Sequence, residues 1–160
     1  MRILVLSDTH SDTLPKAVLN EIKNVDKIFH VGDFTDISIL DRLKKEKEVL
    51  AVYGNMDGMD LRGVLPRQLV VKCEDVTFGL FHGEGGPDKL LEKVRGVFQC
   101  EKLDVIVFGH SHTPMNEVVD GVLMFNPGSP TDMVRSPFLS YGILEVKGSA
   151  VKGQIVKIKA

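Results

Sequence analysis

Three short apolar runs alternate with two amphipathic stretches in the first third of the chain. The apolar runs, residues 3–6, 27–31 and 49–53, are typical of buried strands. Between them, apolar residues recur at helical spacing in residues 14–22 and 37–43. This alternation predicts parallel strands joined by right-handed helical crossovers.

Polar residues before each amphipathic stretch predict where the helices begin. Asp12 or Thr13 is a candidate cap for the first helix, and Pro15 is tolerated in its first turn. Asp36 is expected to cap the second helix, because a carboxylate at that position can accept a hydrogen bond from the first free backbone N–H groups.

The second half of the chain is richer in predicted strands. Residues 69–73 and 76–81 predict a hairpin, and residues 88–98 show a helical pattern. The remaining apolar segments, all predicted as strands, are residues 105–108, 117–119, 122–125, 141–146 and 151–158. Asp120-Gly121 is a strong hairpin turn. We therefore expect an α/β fold of two packed sheets with helices outside, as one domain over residues 1–160.

Composition narrows the class of protein. The chain has 160 residues and a formal net charge of -2, with 43% hydrophobic and 26% charged residues. These fractions are ordinary for a globular protein, and the weak charge argues against a nucleic-acid partner. We find no signal peptide or membrane segment and expect a cytoplasmic protein without membrane contact. Cys73 and Cys100 are expected to be buried, reduced thiols.

Residues that can bind metal follow five of the predicted buried strands. They are Asp8, His10, Asp33, Asn55, His82, His110 and His112. Ligands of open α/β sheets bind at the carboxyl ends of strands, so we expect these side chains to converge. Seven N and O donors without cysteine favour two divalent ions that share a carboxylate, and such donors suit Mn, Fe, Zn, Ni or Co. Two such ions can clamp a phosphate and hold a bridging hydroxide.

Several short blocks together resemble the calcineurin-like metallophosphoesterase family. They are Ser7-Asp8-Thr9-His10, Gly32-Asp33-Phe34-Thr35-Asp36, Gly54-Asn55, His82-Gly83 and Gly109-His110-Ser111-His112. The later block Phe125-Asn126-Pro127-Gly128-Ser129 resembles the compact prokaryotic phosphodiesterase branch, which is itself similar to a eukaryotic retromer scaffold subunit.

The resemblance implies a four-layer α/β/β/α sandwich of two mixed sheets with flanking helices, and the hydrolysis of phosphate esters. One ion would take Asp8, His10, Asp33 and His112, and the other Asp33, Asn55, His82 and His110. Asp8, Asp33, Asn55 and His82 would carry catalysis, and a bridging hydroxide would attack in line. We expect two ions per chain, with Mn first and Ni, Zn, Fe or Co as alternatives.

One position departs from the family pattern. Many members follow the Gly-Asn pair with a histidine that is thought to protonate the leaving group, whereas this chain has Met56 and then Asp57. Methionine cannot donate a proton, so we predict a preference for diesters or good leaving groups. Asp57 is either a weak acid or an anchor for the loop, and we favour the anchor.

Four other features of the sequence can also be interpreted. His30 lies within an apolar strand and is expected to be a hydrogen-bonded core residue. The segment Asn126-Pro127-Gly128-Ser129 predicts a tight turn that either supports a metal ligand or is purely structural. Arg135 is either a solvated loop residue or a phosphate clamp, and Asn55 is a second candidate for substrate contact.

Two functions remain open at this point, besides a nuclease acting on single strands, which the absence of a basic groove signature disfavours. The first is a metal-dependent phosphodiesterase acting on small phosphate esters, and the second is a non-catalytic, metal-binding scaffold for protein interactions. The complete set of seven donors favours the enzyme. Exposed strands at the β-rich end leave homo-oligomerisation open.

Overall fold

The computed structural model describes residues 1–159 and contains two five-stranded sheets. The strands are β1 (Arg2–Leu6), β2 (Lys27–His30), β3 (Glu48–Ala51), β4 (Gln68–Cys73), β5 (Val76–Phe81), β6 (Val105–Val107), β7 (Met115–Val119), β8 (Val122–Asn126), β9 (Ser140–Lys147) and β10 (Ala150–Lys157). The helices are α1 (Lys16–Ile22), α2 (Ile37–Glu46), α3 (Met59–Arg62) and α4 (Leu90–Val97), the last preceded by a 3₁₀ turn at Pro87–Lys89.

The first sheet has the strand order β10-β9-β1-β2-β3. Strands β1, β2 and β3 are parallel, which confirms the crossover topology predicted from the alternating pattern. The C-terminal hairpin of β9 and β10 extends the sheet on the other side, antiparallel to β1. Because β1 lies at the centre of this sheet, the segment that follows it is supported from both sides.

The helix starts follow the expectation at one helix and depart from it at the other. Asp36 caps α2, since its Oδ1 accepts a hydrogen bond from Ser38 N–H at 2.8 Å. The prediction of Asp12 or Thr13 as the cap of α1 is wrong, because Pro15 occupies that position without a side-chain hydrogen bond. Thr13 instead donates its N–H to Ser11 Oγ, so this segment closes a local turn before the helix begins.

The second sheet has the order β4-β5-β6-β8-β7, with β5, β6 and β8 parallel and the two edge strands antiparallel. Both hairpins expected here are present. Asp120 and Gly121 have φ values of 48° and 82°, and positive φ at both positions matches the tight turn that joins twisted strands.

Three apolar clusters separate the molecule into four layers. Alternate residues of β1 point to opposite faces: Leu4 and Leu6 pack under α1 and α2, whereas Ile3 and Val5 pack between the two sheets. The third cluster lies between the second sheet and α4. Burying one such side chain stabilises the fold by about 1.5–3 kcal/mol, so both faces of each sheet contribute. The four-layer α/β/β/α sandwich is confirmed.

Two local expectations need correction. The short helix α3 was not predicted from the sequence. Cys73 is buried as expected, but Cys100 is exposed, because α4 ends at Val97 and Cys100 lies in the turn that follows. In the part of the chain that the structure describes, no helix has both the length and the apolar character needed to cross a membrane.

Candidate metal centre

The seven candidate ligands lie in segments that follow β1, β2, β3, β5 and β6, where the two sheets meet. They are Asp8, His10, Asp33, Asn55, His82, His110 and His112, and the contacts described below connect all of them. The first sheet contributes four of the ligands and the second sheet three. Convergence at this edge was predicted from their positions after buried strands.

The backbone at these ligands is unusual. Five of the seven have positive φ values between 36° and 68°, a region that non-glycine residues seldom adopt. They are Asp8, His10, Asp33, His110 and His112. Such conformations cost on the order of 1–3 kcal/mol each and concentrate at functional sites. Gly32 has φ 96°, and a Cβ there would lie 2.9 Å from His82 Nδ1, so a larger residue would displace this ligand.

One group of donors forms around Asp8. Its Oδ1 lies 3.1 Å from His112 Nε2 and 3.7 Å from His10 Nε2, and the two imidazole nitrogens are 3.3 Å apart. These three side chains can hold a single cation between them. Asp8 is fully buried and His112 nearly so, whereas His10 is partly open to solvent.

A second group forms around Asp33 and Asn55. Asp33 Oδ2 lies 3.3 Å from His82 Nε2, and Asn55 Oδ1 lies 3.0 Å from both His82 Nε2 and His110 Nδ1. Asp33 Oδ2 is also 3.7 Å from His10 Nε2 of the first group. Asp33 therefore faces both groups, and Asp8 also approaches the second group, since its Oδ1 lies 3.9 Å from His82 Nε2.

Each aspartate is held through one oxygen, which leaves the other directed at the imidazoles. Asp8 Oδ2 accepts hydrogen bonds from Ser7 Oγ at 2.5 Å and from His110 N–H at 3.1 Å. Asp33 Oδ1 accepts from Met56 N–H at 2.8 Å. Among the described residues, buried Asp8 Oδ1 has no hydrogen-bond partner. A buried charged oxygen without a donor is costly, and a cation would satisfy it, so the donor set fits a metal centre.

The second-sheet imidazoles are each held by an acceptor on the nitrogen that faces away from the cluster. His82 Nδ1 is 2.8 Å from Val31 O, and His110 Nε2 is 3.0 Å from Gly85 O. His112 Nδ1 is 2.8 Å from Asp132 Oδ2, which is an ion-pair distance without the angle of a hydrogen bond. Such contacts fix the ring orientation and leave the other nitrogen free to bind metal. Sequence reasoning missed Asp132, because no sequence pattern connects it with His112.

Electrostatics at the cluster favour bound positive charge. Burial raises the pKa of Asp8, but the contacts with His10 and His112 outweigh it and hold that pKa well below its usual range. Burial likewise opposes ionisation of Asp33, yet the hydrogen bond with His82 leaves its pKa lowered. Burial lowers the pKa of His82, but Asp33 and Asp8 reverse this and leave it raised. Both carboxylates are therefore ionised at neutral pH and attract cations.

Asp57 connects the two loops that carry Asp33 and Asn55. Its Oδ2 accepts from Asp33 N–H at 2.9 Å and from Gly54 N–H at 2.7 Å, and its Oδ1 accepts from Thr35 N–H at 2.9 Å. The side chain is buried, and both oxygens are occupied. This geometry matches the anchor interpretation rather than the weak acid.

The Asn126–Ser129 segment supports two ligand-bearing loops. Asn126 Nδ2 donates to Gly109 O at 3.0 Å, and Ser129 Oγ donates to Asp8 O at 2.7 Å. Both side chains are buried. Of the two interpretations left open for this turn, the supporting one has direct contacts in its favour.

His30 and Arg135 lie outside the ligand cluster. His30 is fully buried and stacks on Phe34 with ring centroids 3.5 Å apart, and burial lowers its pKa to about 3, so its ring is neutral. Arg135 is exposed, and it contacts Asp132 through its backbone N–H at 3.1 Å. Within residues 1–159, no hydrogen bond or ion pair links the Arg135 guanidinium to the ligands.

A two-sheet sandwich with an Asp, His and Asn cluster at the strand ends defines a metallophosphoesterase type of domain, and family comparison agrees. Residues 1–149 match the model of the calcineurin-like phosphoesterase superfamily domain, and the chain belongs to this family.

Three similar proteins add detail. A protein of Methanocaldococcus jannaschii named as a probable metallophosphoesterase is 42% identical over 92% of this chain and 77% of its own length. A phosphodiesterase of the same organism is 28% identical over 80% of this chain and 83% of its own length. Vps29 of Entamoeba histolytica, crystallised with Zn²⁺, has a TM-score of 0.75 at 24% identity, covering 98% of this chain and 99% of that one. The last likeness concerns the fold alone.

Proposed function

We propose that this protein is a dinuclear metal-dependent phosphodiesterase that hydrolyses small phosphodiesters. The observation that carries the proposal is the pair of carboxylate oxygens, Asp8 Oδ1 and Asp33 Oδ2, which lie within 3.9 Å of three imidazoles and accept no backbone hydrogen bond. Seven donors exceed what one cation needs. Two cations with a shared carboxylate use them all.

The distances support a division of ligands between two ions. Asp8, His10, Asp33 and His112 would hold one, and Asp33, Asn55, His82 and His110 the other. When bound, two divalent cations neutralise phosphate charge and lower the pKa of water at the site. Two cations bring +4 and the two aspartates -2, so the loaded site attracts an anionic ester. We expect Mn²⁺, with Ni, Zn, Fe or Co as alternatives that these donors also accept.

The residues after Asn55 favour diesters and good leaving groups. Met56 is 57% exposed and places no proton donor beside the cluster, although its backbone N–H holds Asp33. Both oxygens of Asp57 accept backbone hydrogen bonds, so this carboxyl is not free to protonate a leaving group. The jannaschii relative named as a phosphodiesterase agrees with this preference.

Three further proposals accompany this function. The chain acts as one domain, because the strands of residues 2–6 and 140–147 pair in the same sheet. It acts in the cytoplasm on a small phosphate ester, without nucleic acid. Homo-oligomerisation through an exposed edge strand stays a prediction.

The test is hydrolysis of bis(p-nitrophenyl) phosphate with and without Mn²⁺, together with metal content. We expect Mn²⁺-dependent turnover and about two ions per chain. Asp33→Asn and His82→Ala should abolish turnover, because each removes a ligand donor. Asp36→Asn is the matched control, since Asp36 lies three residues from Asp33 but caps α2, and its activity should be retained.

The second candidate is a metal-binding scaffold, because the same clusters of donors could hold cations in a protein without turnover. It predicts the same two ions without turnover. A protein that holds two ions and hydrolyses neither diesters nor aryl monoesters with Mn, Ni, Co or Zn would overturn the enzyme proposal in favour of the scaffold.

A further inference from the structure

A polar cavity opens beside the second group of donors. It has a volume of about 180 Å³, and its lining includes Asn55 and His82 together with Arg62, Arg67 and Glu84. A molecule bound at Asn55 and His82 would therefore extend one of its substituents towards two guanidinium groups. None of these three charged residues belongs to the metal-ligand set.

The two arginines differ in how far they are occupied. Arg62 donates from Nε to Asp57 O at 2.8 Å and from Nη2 to Asn55 O at 3.0 Å, so it holds the loop that carries Asn55. Arg67 has one ion-pair partner, Glu84, with Nη2 2.9 Å from Oε2. Its guanidinium also lies 4.9 Å from the centroid of the Phe81 ring. Arg62 therefore holds this loop in place, whereas Arg67 can exchange Glu84 for another anion.

Glu84 is exposed, and Arg67 is its one hydrogen-bond partner among the described residues. It lies between Gly83 and the pair Gly85-Gly86, and Gly83 and Gly85 have φ values of 106° and 84°. Arg67 and Glu84 are both about half exposed, so solvent screens their ion pair and the pair is weak. An anion with better geometry can replace this carboxylate, because a phosphate can accept two hydrogen bonds from one guanidinium.

We propose that Arg67 forms a binding site for a second anionic group of the substrate, such as a terminal phosphate, and that Glu84 occupies this arginine until the substrate arrives. The inference rests on the proposed phosphodiesterase function and extends it to a substrate class: diesters in which one substituent carries its own phosphate. Arg67 is a specificity-determining residue in this assignment.

The other side of the cluster does not offer an equal site. A cavity at His110 is lined by Pro87, Leu90 and neighbouring polar residues, with no arginine or lysine among the described lining residues. Lys93 is another cation beside this segment, because its Nζ would lie 3.0 Å from a Cβ placed on Gly85. Lys93 therefore has to be tested beside Arg67.

The experiment compares two probes that differ only in one phosphate: the dinucleoside monophosphate ApA and its 5′-phosphorylated form pApA. With the Mn²⁺-loaded protein we expect KM to be roughly fivefold lower, or more, for pApA. Arg67→Met should remove this preference by raising KM for pApA to the value for ApA. Glu84→Gln should increase the preference, because the competing carboxylate is gone.

Two control variants make the assignment specific. Arg95→Met removes an arginine from an exposed ion pair with Asp120, away from the ligand cluster, and should retain the preference. Lys93→Met should also retain it. An equal KM for the two probes in the unmodified protein overturns the inference, as does loss of the preference in Lys93→Met but not in Arg67→Met.

Failure of the inference is distinguishable from failure of the proposed function. Turnover of bis(p-nitrophenyl) phosphate with no pApA preference overturns only the anion site. If no diester is hydrolysed, the same comparison is made from dissociation constants measured by calorimetry on the Mn²⁺-loaded protein. Tighter binding of pApA that depends on Arg67 then supports the site without the activity, and equal or undetectable binding of both probes overturns it.

Discussion

The two sheets contribute different chemistry to the ligand cluster. The first sheet supplies both carboxylates, the amide and one imidazole, and its aspartates are held by backbone N–H groups at one oxygen. The second sheet supplies three imidazoles, each held on its far nitrogen by a carbonyl or a carboxylate. Neither half can hold two cations alone.

This difference shows how one site is positioned by two kinds of support. The carboxylates are held by N–H donors in the loops, and Asp57 joins two of these loops. The imidazoles are held by oxygen acceptors. A bound cation would connect the two halves, so metal affinity and the stability of the sandwich should be coupled. Two substitutions each weaken the support of one sheet's donors, and metal removal takes away the cation that would connect the two sheets.

The largest effect is expected from Asp57→Ala, which removes the support on the first-sheet side. Two buried N–H groups and one partly buried N–H group lose their acceptor, and each buried one costs about 1–3 kcal/mol, so the free energy of unfolding should fall by at least about 2 kcal/mol. Urea unfolding measures this. Asp36→Ala, which removes one exposed helix cap, should cost only about 1 kcal/mol. Similar losses for both variants would show that Asp57 is not the main support.

Metal removal tests whether the two halves are coupled. A ligand at a hundredfold excess over its Kd stabilises the folded state by about 2.7 kcal/mol per site. Since each kcal/mol shifts Tm by about 2–4 °C in a chain of this size, chelation should lower Tm by several degrees. Calorimetry with and without EDTA provides the measurement. A Tm that does not respond to Mn²⁺ at any concentration contradicts the coupling.

Asp132→Ala probes the second-sheet side and should have the smallest effect on folding. His112 would lose the carboxylate that orients its ring, and loss of such a partner typically weakens metal affinity by about 10- to 100-fold. Asp132→Asn should lie between, because the amide oxygen still accepts a hydrogen bond. Metal titration followed by calorimetry checks this order. Asp120→Asn, at an exposed turn, is the control and should leave the affinity unchanged.

Much of the architecture was predictable because local patterns and tertiary packing agree. Apolar runs became strands within one or two residues of the expected bounds, and the layers followed from the alternation of helix and strand. The convergence of the candidate ligands was predictable for a related reason: the carboxyl ends of parallel strands meet at one edge, so polar residues after separate strands come together.

The parts that could not be predicted depend on contacts distant in sequence or on very short segments. Asp132 acts through His112, and nothing in its neighbours shows that an imidazole 20 residues earlier lies beside it. Helix α3 has only four residues and leaves no periodicity to detect. Cys100 is exposed because α4 ends early, and helix ends are the least predictable feature of a pattern.

The hydrogen bond from Ser129 to the Asp8 carbonyl has a consequence for biosynthesis. All seven donors have left the ribosome once residue 112 has emerged, yet Ser129 and the strand at residues 140–147 that flanks β1 follow later. The nascent chain therefore exposes all seven donor side chains before the segments that position them have been synthesised. We therefore expect selective cation binding only after the C-terminal hairpin has left the ribosome. Only then is the arrangement of the seven donors complete.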